Sequence, residues 1–545
     1  MKPIQILFLA CLVLTSPLYA ADTDLGGSGN DVSGIGTNNN TAGGSDNNAS
    51  GGNSSNTALG FENNASAPTT GSNTAVGNSN NASGGLSINT SVGGSNNASG
   101  DASSNLSGGW SNSSSGTNAA NTALGTTNDA SGNNASNLAV GWQNVASGND
   151  SIRTAVGYGN NNDVVRNNLG LIVPFLDPGE NSTAVGYVNN AGGNNSTAVG
   201  SRNYALGSVS TAVGDRNRTT DIRSVALGGQ NSALALAAVA VGDGNLASAD
   251  RAQAFGYDNR AQENFSSAFG ARNTTSGRLA NAMGFENFGS GEESSAFGVF
   301  NRSTAEWASA MGNRNHTQGI RSSAFGFGNN NDIERANAGL ADPFLDAGEN
   351  SSAVGYLNNA SGLNSTALGN RNYASGSRSV AAGYGNNADS FTSTAIGVEN
   401  EASSDFTAAL GHHNVANQMN AVAVGGYNYA LGDGASAFGT SNLASGEQST
   451  AISFDSAASG DFSLAAGSSA IAISEGAIAI GRNANAASAG SVAIGDGATA
   501  LSSVAVGVGA QATGPPPRRW AISPTPPAIT PWLWARTVWR IRMTR

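Results

Sequence analysis

The chain has one cysteine, one lysine and few charged residues, and each of these scarcities excludes a class of protein. Cys11 lies within the first twenty residues, MKPIQILFLACLVLTSPLYA, so a chain cleaved after Ala20 or Ala21 has no disulfide and no thiol chemistry. Charged residues make up 11% of the chain. Residues 21–514 contain 17 Arg, no Lys and 36 Asp and Glu, a net charge of −19. This charge argues against nucleic-acid or anionic-membrane binding, which needs basic stripes.

Long hydrophobic runs are also missing. The apolar run from Ile4 to Leu14 is too short to span a membrane. Because Lys2 precedes it and small residues follow it, we expect residues 1–20 to be a secretory signal peptide. A lipoprotein signal ending at Cys11 is the alternative, although the apolar run before that cysteine is very short.

Glycine is abundant, at 75 of 545 residues, and its placement is periodic. Between residues 186 and 326, a glycine ends a small-x-Ala-x-Gly unit every fourteen residues, and the series resumes from Gly355 to Gly495 with Ser453 replacing one glycine. A looser version with a spacing near sixteen runs from Gly60 to Gly157. Without this periodicity, the composition would indicate disorder.

Stacking the eleven repeats between residues 186 and 326 in register gives three columns. An alanine lies two residues before each glycine, and an asparagine lies three residues after it, as in Ala198 and Asn203 around Gly200. The residue directly before each glycine is bulky and apolar, and we name this column the apolar stripe: Val185, Val199, Val213, Leu227, Val241, Phe255, Phe269, Met283, Phe297, Met311 and Phe325.

The columns predict an all-β fold, a parallel β-roll solenoid whose coils are about 14 residues long, and about 16 residues long near the N-terminus. Small-x-Ala-x-Gly alternates with the period of a strand. The half that follows, as in Asn203 to Gly207, predicts a second strand. The asparagines suit left-handed turn positions and can hydrogen-bond from coil to coil as a ladder.

The two faces of the first strand predict an oligomer. Adjacent residues of a strand point to opposite sides, so the alanine column and the apolar stripe cannot share one core. Small residues fit inside a narrow roll, which places the apolar stripe outside. Because so long an exposed apolar surface needs a partner, we expect several copies of the chain around a common axis.

At these residues the sequence resembles the YadA-like head of trimeric autotransporter adhesins, whose repeats read close to S-x-A-x-G-x-x-N-x-A-x-G. The resemblance covers roughly residues 25–510. It implies a left-handed parallel β-roll, a homotrimer and attachment to a host-matrix protein, a glycan, another surface or other cells. It also implies a cell-surface location in the outer membrane, through a coiled-coil stalk and a β-barrel anchor that are not visible in this chain.

These patterns predict four segments. We expect a signal peptide at 1–20, degenerate repeats at 21–157, regular head repeats at 158–514 and a distinct tail at 515–545. The tail holds 7 of the 13 prolines, 4 of the 7 tryptophans and no acidic residue. Such an abrupt change is typical of a frameshift or a truncated gene model; the alternative is a basic, aromatic surface segment.

Two intervals of 29 residues, 157–186 and 326–355, interrupt the fourteen-residue spacing and are near-copies of each other. Each contains Pro-Phe-Leu-Asp, and proline is unsuited to a central strand. One interpretation is a ligand-contacting loop, with Phe175, Leu176, Asp177, Phe344, Leu345 and Asp346 as contact residues. The other, which we favour, is a degenerate coil whose apolar residues plug the trimer axis.

Other candidate sites are weak. The column two residues after the glycine mixes Arg202, Arg216 and Arg272 with Asp258 and Glu286, which is typical of a solvated or salt-bridged surface. The remaining candidates lack the spacing of a metal or catalytic site: GGSGND at 26–31, the three histidines His316, His412 and His413, and the pair Glu292-Glu293. We therefore predict no catalytic residue, no cofactor and no metal.

The favoured function is that of a bacterial adhesin head. One alternative is a secreted ice-, mineral- or calcium-binding solenoid, which would need a continuous rank of threonines. Thr183, Thr197 and Thr211 begin such a rank, but valines follow at 225 and 239. A second alternative, a polysaccharide-acting solenoid enzyme, needs wider coils with grouped carboxylates.

Overall fold

A computed structural model describes residues 22–34, 36, 38–161, 178–330 and 347–514. The predicted signal peptide and tail, and the six Pro-Phe-Leu-Asp contact residues, lie outside these residues. The chain divides into two compact units, the first ending at Thr392 and the second beginning at Ser393.

Each coil of the first unit consists of a longer first strand, a tight turn, a short second strand and a second turn. In one coil the first strand is Thr197–Ser201, the second strand is Tyr204–Ala205, and Ser208 and Val209 form the second turn. We call the glycine near the end of the first strand, here Gly200, the corner glycine. Small residues at alternate positions of the first strand allow so short a coil to close.

The first strands of this unit pair in parallel, each with the first strand of the next coil. Alanine pairs with alanine and corner glycine with corner glycine, as in Ala184 with Ala198 and Gly186 with Gly200. After Thr23–Asp24, these strands are Thr41–Ser45, Thr57–Phe61, Thr74–Asn78, Thr90–Gly94, Leu106–Trp110, Thr122–Thr126, Leu138–Trp142, Thr154–Tyr158, Thr183–Tyr187, Thr197–Ser201, Thr211–Asp215, Val225–Gly229, Val239–Asp243, Gln253–Tyr257, Ser267–Ala271, Asn281–Phe285, Ser295–Val299, Ser309–Asn313, Ser323–Phe327, Ser352–Tyr356, Thr366–Asn370 and Val380–Tyr384.

The second strands of this unit also pair in parallel from coil to coil, as Tyr204 does with Arg218. In the coils before residue 162, most of this half forms isolated bridges rather than strands. The second strands are Asn81–Ser83, Asn97–Ser99, Asn190–Ala191, Tyr204–Ala205, Arg218–Thr219, Ser232–Ala233, Leu246–Ala247, Arg260–Ala261, Thr274–Thr275, Phe288–Gly289, Arg302–Ser303, His316–Thr317, Asn359–Ala360, Tyr373–Ala374 and Asn387–Ala388.

The second unit repeats the same coil. Its first strands are Thr394–Val398, Ala408–His412, Val422–Gly426, Ser436–Thr440, Thr450–Phe454, Leu464–Ala466, Ile478–Ile480, Val492–Ile494 and Val504–Val506. Its second strands are Glu401–Ala402, Val415–Ala416, Tyr429–Ala430, Leu443–Ala444, Ala457–Ala458, Ile471–Ala472, Asn485–Ala486, Thr499–Ala500 and Gln511–Ala512.

The core of each unit is a column of alanines rather than a cluster of large side chains. Ala198 and Ala205, one from each strand of a coil, are completely buried. Most coils bury the same pair, and a threonine, serine or glycine takes the second position in the others, as Thr219 does. Each alanine stabilises the fold little by itself because its apolar area is small. The stability therefore depends on the repeated backbone and side-chain hydrogen bonds between coils.

The predicted all-β, parallel solenoid is confirmed. No helix occurs in the part of the chain that the structure describes, and accordingly no helix there could cross a membrane. The second strand is shorter than predicted: two residues of the Asn203 to Gly207 half pair as a strand, and the rest forms turns.

Candidate functional site

The apolar stripe lies on the outside of the coil. In the strand Thr183–Tyr187, Ala184 is completely buried, whereas Thr183 and Val185 on either side of it are half-buried. Some residues of the stripe are exposed: Met283 is 50% exposed and Phe325 is 53% exposed. Strand alternation therefore separates a small, closed interior from a large, open apolar surface.

The structure brings the residues of the stripe into direct contact along the stack. Because the first strands pair in register, Val185 lies beside Val199 and Phe297 beside Met311. The rings of Phe255 and Phe269 stack with their centroids 4.9 Å apart. The predicted stripe is thus one continuous surface within residues 178–330.

The corner glycine is required by the close approach of the next coil. Gly200 has φ = 115°, a conformation that L-residues avoid. A Cβ atom at Gly200 would lie 2.1 Å from the carbonyl oxygen of Gly214. The glycine column is therefore fixed by stacking geometry and is not simply part of the lining of the roll.

The asparagine column forms a buried ladder. In Asn203, the backbone N–H and the side-chain Nδ2 both donate to Oδ1 of Asn189, each at 3.0 Å. Nδ2 also lies 2.9 Å from the carbonyl oxygen of Val199 and 2.7 Å from that of Gly214. One amide thus hydrogen-bonds to a first-strand carbonyl of its own coil and to the coils on both sides. The predicted coil-to-coil ladder is confirmed.

The other predicted role of these asparagines, a left-handed turn conformation, is wrong. The residue before each ladder asparagine takes that conformation: Arg202 has φ = 55°, as does Arg216. The asparagine itself must keep its amide inside the coil, so the preceding residue makes the turn. The second turn contains another such residue, for example Arg223 with φ = 59°.

The sixteen-residue coils contain a second ladder that our sequence reasoning missed. It lies directly before the first strand and consists of Asn40, Asn56, Asn73, Asn89, Asn105, Asn121 and Asn137. Arg153 ends it: its backbone N–H donates to Oδ1 of Asn137 at 3.1 Å, and its guanidinium donates to the carbonyls of Ser147 and Gly179. The sixteen-residue spacing of these asparagines was the signal that could have revealed it.

The mixed charges of the first turn pair with one another. Arg272 and Glu286 form an ion pair at 3.0 Å, and this hydrogen bond raises the pKa of the Arg272 guanidinium. In the second unit, Arg482 Nε donates to Asp496 Oδ1 at 3.1 Å, which lowers the pKa of that carboxyl. All four groups are largely solvated, so these pairs contribute little to stability.

The two 29-residue intervals are flanked by similar ring stacks. Tyr158 stacks on Tyr187 and Phe327 stacks on Tyr356, each pair with centroids 5.2 Å apart. The first strands on either side of each interval pair in register. The solenoid therefore continues across both intervals. Whether Phe175 or Phe344 contacts a ligand stays a prediction.

The weak catalytic and metal candidates have other partners. Glu292 pairs with Arg278, and Glu293 accepts a hydrogen bond from Trp307 Nε1 at 2.9 Å. His413 lies 3.2 Å from Glu399 and stacks on Tyr427. Over the described ranges, no group of three or more His, Cys, Asp or Glu residues is placed to hold a metal ion.

The family comparison agrees with this geometry. The family model described as YadA head domain repeat (2 copies) matches residues 178–203, 205–231, 220–245, 347–372, 360–386, 374–399, 388–413, 402–428, 430–452, 458–484, 472–498 and 498–515. These coils are YadA head repeats. A comparison with curated proteins found no match.

The YadA head repeat is the repeat of trimeric autotransporter adhesins, which are surface proteins and not enzymes. The matches and the β-solenoid together support an adhesin-like surface protein. The alanines, the corner glycines and the asparagine ladder form the interior and the stacking contacts of the coils, and the apolar stripe lies on the outside.

Proposed function

We propose that this chain forms a homotrimeric adhesin head that attaches a bacterium to a host-matrix protein, another surface or another cell. The observation that carries the proposal is the apolar stripe. Met283, Met311 and Phe325 are 50%, 40% and 53% exposed, although the interior of the coil is completely closed. An apolar surface of this length is typical of an interface and not of a soluble monomer.

Packing of three chains around a common axis is the simplest way to bury the apolar stripe. The stripe lies on the first strands alone, so three copies can turn it inward together while their second strands remain in solvent. A closed, symmetric trimer buries the apolar stripe of every copy, whereas an open arrangement of copies would produce filaments. Attachment then arises from many weak contacts on a long, rigid surface, which act together through multivalency.

The test compares two triple substitutions to serine in otherwise identical chains. The stripe variant changes Phe297, Met311 and Phe325, and the control variant changes Phe265, Phe300 and Trp307, which are exposed at the turns. Light scattering across a dilution series should give trimers for the parent chain and the control. The stripe variant should give monomers or aggregates, because it loses much of the buried interface.

Beads coated with each protein test the adhesive function. Parent and control beads should attach to collagen-coated glass, to bare glass or to one another, and stripe-variant beads should attach less. A monomeric parent chain, or a trimer that attaches to none of these surfaces, would contradict the proposal. Equal trimer formation by the stripe variant would show that another surface makes the interface.

A further inference from the structure

In the coils from Gly200 to Gly312, the outward surface of the second strands carries arginines and no acidic residue. We name it the second-strand face and define it as the residues four and six positions after the corner glycine in the coils from Gly200 to Gly312. Its residues are Tyr204, Leu206, Arg218, Thr220, Ser232, Leu234, Leu246, Ser248, Arg260, Gln262, Thr274, Ser276, Phe288, Ser290, Arg302, Thr304, His316 and Gln318.

The arginines of this face form a straight row. Arg218, Arg260 and Arg302 occupy the same position of their coils, exactly three coils apart in sequence register, and all three are exposed. With about 4.8 Å between stacked coils, neighbouring arginines lie about 14 Å apart. Across the described residues, no other coil has an arginine at this position.

These arginines are weakly engaged by the protein itself. Arg260 lies 4.0 Å from Asp258 on the neighbouring turn, and its side chain remains 57% exposed. The Arg302 guanidinium lies over the ring of Phe288, 5.0 Å from its centroid. A stacked guanidinium keeps its in-plane N–H donors free for an anion. By contrast, Arg272 and Arg278 on the turns pair directly with glutamates.

Between the arginines, the face offers neutral hydrogen-bonding groups. Ser232, Ser248 and Ser276 are half-exposed, and Gln262 is exposed. Hydroxyl and amide groups suit the hydroxyls of a sugar, and the arginines suit its sulfate or carboxylate groups. The face is a strip of a stacked sheet, which fits an extended polymer better than a compact ligand.

We propose that the second-strand face binds a linear anionic polysaccharide, such as a sulfated or uronic-acid glycan, laid along the stack of coils. This inference rests on the proposed adhesin function, because the face stays in solvent only if the apolar stripe is the one that closes the trimer. A glycan fits better than a nucleic acid. The arginines of the face are about 14 Å apart, whereas duplex DNA carries one negative charge per about 1.7 Å of its axis. The face therefore neutralises few phosphates, but its hydroxyl and amide groups can contact the sugars between spaced sulfate or carboxylate groups.

The test uses the full chain with immobilised heparin and dextran sulfate as probes, and with uncharged dextran and duplex DNA for comparison. One variant replaces Arg218, Arg260 and Arg302 by Gln. The matched control replaces Arg223, Arg251 and Arg321 by Gln; these three arginines are exposed on the second turn, so the loss of charge is identical. Circular dichroism checks that each variant is folded.

The parent chain should bind both sulfated polymers, with affinity that falls as salt is raised, and should not bind dextran. The second-strand variant should bind at least about tenfold more weakly, and the control should stay within about twofold, because only the first set of arginines faces the polymer. Equal losses in both variants, tighter binding of DNA than of heparin, or no binding by the parent chain would overturn the proposal. If the parent chain is a trimer and its beads attach to a surface but the chain does not bind heparin, the result contradicts the glycan proposal and leaves the adhesin proposal standing.

Discussion

The sixteen-residue coils of residues 38–161 and the fourteen-residue coils of residues 178–330 and 347–392 build the same outer wall in different ways. Both have the five-residue first strand, the corner glycine and the ladder represented by Asn112 and Asn203. The larger coils add a second asparagine ladder, and most of their second strands shrink to isolated bridges. The smaller coils have a serine or an alanine in place of that asparagine and form a regular second strand.

The comparison shows two ways to stabilise the half of the coil that lies opposite the first strand. Asn105 spans the wider interior, with Nδ2 2.9 Å from the carbonyl oxygen of Ser99 and 3.1 Å from that of Gly116. In a fourteen-residue coil, backbone hydrogen bonds between the second strands of neighbouring coils stabilise this half instead. The corresponding Ser196 hydroxyl is buried with no hydrogen-bond partner within the described residues. Side-chain and backbone hydrogen bonding therefore substitute for each other.

The largest expected effect concerns the corner glycine, which both kinds of coil contain. Gly109 and Gly270 have φ of 112° and 111°, and a Cβ at either would lie 2.0 or 2.1 Å from a backbone carbonyl oxygen. Replacing either glycine by Ala should lower the free energy of unfolding by about 3–5 kcal/mol in chemical denaturation. Gly490→Ala is the control: Gly490 has positive φ but open space, so the cost should be about 1 kcal/mol.

A similar small cost for Gly109→Ala and Gly490→Ala would contradict the close stacking of the corners. A clear difference between Gly109→Ala and Gly270→Ala would instead show that the two kinds of coil do not share one corner.

The second prediction separates the two kinds of coil. Asn105→Ala removes the acceptor for the N–H of Asn121 and the donor to two carbonyls, so it should cost about 3 kcal/mol. Ser196→Ala, at the corresponding position of a smaller coil, should change stability by less than about 0.5 kcal/mol, because its hydroxyl has no partner to lose.

Hydrogen exchange followed by mass spectrometry should find faster exchange around Asn121 in the first variant and no change around residue 210 in the second. Asn133→Ala controls for loss of an asparagine in an exposed turn, where Oδ1 accepts only the N–H of Thr117 at 2.8 Å, so it should cost less than Asn105→Ala. Equal destabilisation by Asn105→Ala and Ser196→Ala would remove the distinction between the two designs.

The smallest expected effect is a gain in stability. It tests, in the second unit, whether the corner position favours glycine. Ser453 occupies a corner position with φ = 106°, which strains a residue with a side chain. Ser453→Gly should therefore raise the free energy of unfolding by about 1 kcal/mol, measured by thermal denaturation. Ser445→Gly should lower it slightly, because that position gains only unfolded-state entropy. A loss of stability in Ser453→Gly would mean that its hydroxyl outweighs the strain.

Much of the scaffold was predictable from columns of residues. Alternation around Ala184 predicts a strand with one closed face, and the invariant spacing of Asn189 and Asn203 predicts a ladder. Identical environments in successive coils demand identical residues, so a column reveals a shared contact without an alignment.

The details of the turns were not predictable in the same way. The left-handed residue is Arg202 and not the turn-favouring Asn203, because the buried amide takes priority over local preference. The role of Arg153 was also hidden, since one arginine forms no column. The outer faces vary from coil to coil, so sequence periodicity does not reveal what they contact.

The asparagine ladder joins each coil only to its two neighbours, and this has a consequence for how such a molecule changes over generations. The contacts of a coil do not depend on the total number of coils. The interval from Gly157 to Gly326 comprises one 29-residue step and ten 14-residue steps, and its opening segment is repeated at residue 326. A block of whole coils can thus be copied or deleted while the contacts within every remaining coil stay the same, so the number of coils can change by duplication or deletion of sequence.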